Sequence, residues 1–158
     1  KRLWPSNEEI QEALLAYRRL FWNPDQASAL ARRREQALAA MRHFARFGPR
    51  LVGPLLEAYP DPGQAVRLHL FAEAMDEVIF LLMDQGIPWR EREEALRFGD
   101  GGRRFLPVLT FLAGGTPIEL VILPTAARGN PPLDPISDRP QRGADAAAVS
   151  RLLKEGLE

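Results

Sequence analysis

The stretch Leu51–Phe71, LVGPLLEAYPDPGQAVRLHLF, constrains the fold most. Two apolar runs flank a turn rich in proline and glycine. In the second run Val66, Leu68 and Leu70 alternate with Arg67 and His69. Side chains of a strand point alternately to its two faces, so this run is a strand with one apolar side. Before it the apolar residues recur at helical spacing, and after it they return mainly to alternation. A chain that changes period in this way reads as α+β, with helices first and a sheet after.

Ser6-Asn7-Glu8-Glu9 is a capping box, and Ile10, Leu14, Tyr17 and Phe21 follow at helical spacing, predicting a helix over 7–22. Asn23-Pro24-Asp25 ends it, and Asp25 is expected to cap a second helix that carries Leu30, Leu38, Met41, Phe44 and Ala45 to Phe47. Gly48-Pro49 stops that helix. The pair is expected to form an antiparallel hairpin over 7–47. Strands are predicted at 50–56 and 65–72. Pro54 demotes the first to an edge or a bulge, because proline cannot donate to a ladder. Met75, Val78, Ile79, Leu82 and Met83 set a helix over 74–86, widened by Phe80 and Leu81 to near-complete burial. Strands at 88–97, 104–113 and 117–124 are joined by Gly99-Asp100-Gly101-Gly102 and by Gly114-Gly115, both hairpin signals. The proline-rich segment 125–143 has no period and is expected to wrap the surface. Asp145 caps a last helix within 144–157. The expectation is thus one domain over 1–158. It has an N-terminal helical hairpin, a mixed and mostly antiparallel five-stranded sheet with one central helix, and a C-terminal helix.

Composition excludes several classes of function. With 21 basic and 21 acidic residues the formal net charge is zero, so no global field draws the chain to nucleic acid or to an anionic membrane. Nineteen of the basic residues are Arg; with abundant Ala, Leu and Pro, this usage fits a GC-rich bacterial genome. There is no cysteine, which removes disulfides, thiolate metal sites and a cysteine nucleophile. No uncharged apolar run approaches the ~18–20 residues that span a bilayer, and no leader is visible. A cytoplasmic location is expected, with no membrane partner.

The chemistry-bearing residues are sparse. No phosphate loop, dinucleotide glycine motif, nucleophile elbow or HExxH is present. Two histidines without cysteine argue against zinc. Arg32-Arg33-Arg34 reads as a solvated helix face, and His43 as a group capping helix-end carbonyls. Glu91, Glu93 and Glu94 resemble a metal cluster at first glance, but Glu91 and Glu93 share one face of their strand while Arg90 and Arg92 take the other, as on a solvated edge.

The order of elements from Leu51 to Leu123 resembles the nucleotidyltransferase superfamily in its minimal bacterial form. That family carries a glycine motif on a short strand, then a strand reading acid-apolar-acid-apolar, then a third acid on a later strand. Acids at i and i+2 share a face and grip Mg²⁺, which clamps the nucleotide's phosphates. Here Val52-Gly53-Pro54 stands at the glycine motif, Arg67-Leu68-His69-Leu70 at the acidic run and Glu119 at the third acid. The resemblance covers residues 50–124 and implies a nucleotidyltransferase-like core.

The departures from that pattern bear on chemistry. An arginine is not a metal ligand, and one His with one Glu does not replace three carboxylates around a hard ion. The resemblance therefore implies a catalytically degenerate member, a binding or regulatory module with no metal and no cofactor. Its tentative ligand site is Gly53, Arg67, His69 and Glu119, for a nucleotide or another anion. A protein partner is expected at the N-terminal helices. Three other readings stand beside this one. Arg67 pairs with Glu119 across a vacated site; or Arg67, His69 and Glu119 form the anion clamp and acid/base group of an enzyme of another class; or the domain is purely structural or oligomerising.

Overall fold

The computed structural model describes residues 4–61 and 63–156. Among them are α1 (Asn7–Leu20), α2 (Pro24–His43), α3 (Met75–Asp84) and α4 (Ala146–Gly156). The strands are β1 (Arg50–Val52), β2 (Val66–Phe71), β3 (Arg90–Arg97), β4 (Arg103–Ala113) and β5 (Thr116–Leu123). They form one sheet in the order β1-β2-β5-β4-β3. Only β2 and β5 run parallel; the other neighbours are antiparallel. The architecture is α+β with a mixed five-stranded sheet, as the period change predicts. The expected helix end at 157 lies outside the described residues.

The alternation of β2 divides the interior into two. Val66, Leu68 and Leu70 join Ile118, Leu120 and Ile122 of β5 on one face. Met41 and Phe44 of α2, Val78 and Leu82 of α3, and Val149 of α4 close over them. Each such side chain contributes roughly 1.5–3 kcal/mol by leaving water. The opposite face holds a smaller cluster of Phe71, Val108, Val121, Leu123 and Phe98. The segment after β5 lies over it, burying Ala127, Pro131 and Pro132. That wrap returns to the sheet edge, where Leu51 and Ala144 exchange two backbone hydrogen bonds of 2.8 and 2.9 Å. Gly143 precedes the bridge with φ +69°; a Cβ there would stand 2.4 Å from the Leu51 carbonyl oxygen.

Several boundaries and packings differ from expectation. Asn23, not Asp25, caps α2: it forms a reciprocal box with Gln26 and leaves Pro24 in the first turn, where its missing N–H costs nothing. The α-helix ends at His43, and a 3-10 turn, Ala45–Phe47, takes the chain to Gly48. β1 stops at Val52, because Gly53 turns to φ 90° and Pro54–Leu56 coils into a 3-10 turn. α3 buries Val78 and Leu82, but Phe80 and Met83 stay exposed, since only one side of the helix meets the core.

The largest difference concerns α1. Its predicted apolar stripe faces solvent: Leu14 is 43% and Tyr17 62% exposed, with Ile10 and Phe21 also open. The helix is oriented instead by its polar side. Gln11 donates to the Glu57 carboxylate, Arg18 pairs with the same group at 3.8 Å, and Trp22 meets Tyr59 edge-on at 5.4 Å. α1 thus lies on the turn after β1, while α2 packs against α4 and the sheet.

Candidate functional site

Arg67 and Glu119 meet on the face opposite the helices. The parallel register of β2 and β5 sets them side by side, and period two turns both away from the main core. Arg67 reaches Glu119 at 3.3 Å and also pairs with Glu94 of β3. Arg92, on the same face as Glu94, reaches Glu94 at 2.7 Å and Glu119 at 3.2 Å. The result is a closed ring, Arg67–Glu94–Arg92–Glu119, formally neutral and partly exposed. Burial raises the Glu94 carboxyl, but hydrogen bonds from Arg67 and Arg92 outweigh it and hold the group below its ordinary value. The Arg92 guanidinium is pushed further up, chiefly by its hydrogen bond to Glu94.

His69 lies beside this ring but beneath the surface, 1% exposed. Neither ring nitrogen has a hydrogen-bond partner. Burial lowers its pKa to about 4, aided by Arg67 and opposed by Glu94. The imidazole is therefore neutral near pH 7, without access to an outside proton carrier. Gly53 stands one residue past β1, beyond Val52, which is in register with Arg67. A Cβ at Gly53 would meet nothing within 4 Å, so no close backbone approach explains the glycine there. Its positive φ explains it. The structure thus brings Arg67, His69 and Glu119 to one face, sets His69 below it, and leaves Gly53 at the margin.

The ring leaves little open chemistry. An arriving anion must displace a carboxylate from each arginine, and an arriving cation must displace a guanidinium from each carboxylate. Among the described residues no three His, Cys, Asp or Glu side chains cluster to hold a metal ion. Glu94 is the partner that sequence reasoning missed. It sits in the Glu91–Glu94 run, but its i+2 relation to Arg92 puts it on the arginine face rather than with Glu91 and Glu93.

The arginine run on α2 is also not the solvated face expected. Arg34 is buried, donating to the Leu55 and Glu57 carbonyls at 2.9 and 2.8 Å, and Arg33 donates to the Gln64 carbonyl at 2.8 Å. Only Arg32 is left in solvent. These two arginines satisfy the carbonyls of Leu55, Glu57 and Gln64, which belong to no strand ladder. His43 is exposed at the end of α2, edge-on to Phe44 at 5.1 Å.

A concavity elsewhere in the molecule was invisible in the sequence. A cleft of about 360 Å³ opens between the end of α2, the start of β1, the wrap and the start of α4. Arg42, Arg50, Arg128 and Arg142 line it, four residues spread over a hundred positions and in no charge run. No helix among the described residues is long and apolar enough to cross a membrane. No protein-family model, curated protein or solved structure matches this chain.

Proposed function

We propose that the protein is a binding or regulatory module on a degenerate nucleotidyltransferase-like core, without metal-dependent nucleotidyl transfer. The observation carrying this reading is the closed ring Arg67–Glu94–Arg92–Glu119. At the positions where the resemblance wants metal-binding acids stand an arginine and a buried histidine. The one matching acid, Glu119, is engaged by two guanidiniums. Such a ring stabilises a surface modestly and orders it; it does not provide free carboxylate oxygens for Mg²⁺. The surface for a protein partner in this reading is the open apolar side of α1, with Ile10, Leu14, Tyr17 and Phe21. A thermal-shift series with nucleoside triphosphates, with and without Mg²⁺, tests the proposal. The expected result is no stabilisation that depends on Mg²⁺. A nucleotide shift that appears only with Mg²⁺, or release of pyrophosphate from a labelled triphosphate, overturns it.

A further inference from the structure

The four-arginine cleft is a concentration of positive charge that the ring does not explain. Arg42 comes from the last turn of α2, Arg50 from the first residue of β1, and Arg128 and Arg142 from the wrap. None of the four has a carboxylate within 4 Å among the described residues, whereas Arg67, Arg92 and Arg97 all do. Among the described residues Asp145 is the one carboxylate in the lining, and it accepts from the Ala148 N–H at 2.9 Å as the cap of α4. The walls therefore carry a formal excess of three positive charges in a chain whose net charge is zero. Like charges gathered in one concavity destabilise the fold unless something answers them.

Arg128 is held in place. Its guanidinium lies over the Phe71 ring, 5.4 Å from the centroid, and against Gly48. A Cβ at Gly48 would come within 3.1 Å of that guanidinium. Glycine there, at φ +59°, both turns the chain and makes room for the arginine. The rest of the lining is apolar, with Phe71, Met41, Ala45 and Pro131. A small-molecule site has this make-up: an apolar body, a few placed charged groups and a volume of roughly 300–1,000 Å³. Guanidiniums present planar forks of N–H donors that match phosphate oxygens two at a time.

We propose that this cleft binds a small phosphate-bearing molecule of the diphosphate class, held by Arg42, Arg50, Arg128 and Arg142 at the wrap end of β2. The inference rests on the binding-module reading for its biological meaning, since it supplies that module's ligand. Its test is separate: the cleft shares no residue with the ring, and binding here needs no Mg²⁺.

Inorganic pyrophosphate, titrated calorimetrically into the full chain at constant ionic strength without divalent cation, is the probe. One saturable site is expected. Arg50→Gln and Arg142→Gln each weaken it about tenfold or more, the usual size of a lost charge-assisted hydrogen bond. Arg103→Gln, an exposed arginine of β4 outside the cleft, changes affinity less than about twofold. Without pyrophosphate, the two cleft variants are at least as stable as the parent, because removing a charge relieves repulsion. The proposal is overturned by no saturable binding, by equal weakening with Arg103→Gln, or by a single-stranded oligonucleotide that binds while pyrophosphate fails to compete with it. Destabilised cleft variants without ligand also overturn it, since they mark the arginines as structural. Magnesium-dependent turnover with intact cleft binding would refute the function proposed above and leave this one standing.

Discussion

His69 offers the sharpest measurement. Its ring is 1% exposed and neither nitrogen is partnered, so the fold bears the cost of an unsatisfied donor and acceptor. Replacing it by leucine, of similar volume, removes both atoms without opening a large cavity. The expected gain at pH 7.5 is about 1–3 kcal/mol. The pH dependence adds a second, independent quantity. The folded-state pKa is about 4, against 6.5 as the ordinary value, with burial as the main cause and Arg67 as the second. Between those values the unfolded chain binds the proton and the folded chain does not, so stability rises with pH across this window. It is fully present above about pH 6.5 and is lost progressively as pH falls towards 4. The fall from 6.5 to about 4 corresponds to about 3 kcal/mol at the acid end, most of it already lost near pH 4.5. The assay is urea unfolding of parent and His69→Leu at several pH values from 7.5 to 4.5. Carboxylates titrate there too, but they do so in both proteins, and the difference isolates His69. The stability gap in favour of His69→Leu should widen by about 2–3 kcal/mol on acidification. A gap that stays constant, or a variant less stable than the parent at pH 7.5, refutes the reasoning. So does a histidine resonance titrating near 6.5 and assigned to residue 69.

Other substitutions probe separate features. Gly143→Ala should cost about 3–5 kcal/mol in chemical denaturation, because its Cβ meets the Leu51 carbonyl, its φ is positive and two bridge hydrogen bonds give way; a loss under about 1 kcal/mol would show that the edge bridge is not rigid. Leu14→Gln should move stability by no more than about 0.5 kcal/mol, as expected of an exposed helix position, while Leu68→Ala costs about 2–5 kcal/mol. Similar losses for the two would place α1 with its apolar side inward. Arg67→Met should cost about 1–3 kcal/mol near neutral pH by leaving Glu94 and Glu119 short of a partner. Glu94 is held below its ordinary value, so that loss is largest above the unfolded carboxyl pKa and shrinks as pH falls through the folded one. An Arg67→Met penalty that does not shrink in acid would contradict the ring as its source.

Local pattern carried the sheet. The alternation of β2, the glycine hairpins and the apolar spacing of α3 and α4 depend on near neighbours, and they stand close to where the sequence places them. What the pattern could not say was which side of a helix the rest of the chain would choose. The stripe Ile10–Leu14–Tyr17–Phe21 is as regular as a buried face, yet Glu57 holds α1 by Gln11 and Arg18. That contact joins residues about forty positions apart and has no periodic signature. The candidate site divides in the same way. Facing of Arg67 and Glu119 follows from strand period, whereas Glu94 enters through the cross-sheet reach of long side chains. The arginine cleft was least legible of all, because its members come from α2, β1 and two distant points of the wrap, and only the return of the wrap to β1 assembles them.

The return of the wrap to β1 also bears on synthesis. β1 is three residues long and lies at the sheet edge; Ala144 is what pairs with its outer side. A ribosome delivers Leu51 long before Ala144, so the nascent sheet spends that interval with an unpaired edge. Unpaired edges recruit other strands. The short β1, closed by Pro54 just beyond it, limits what a stray strand can grip until the C-terminal part arrives.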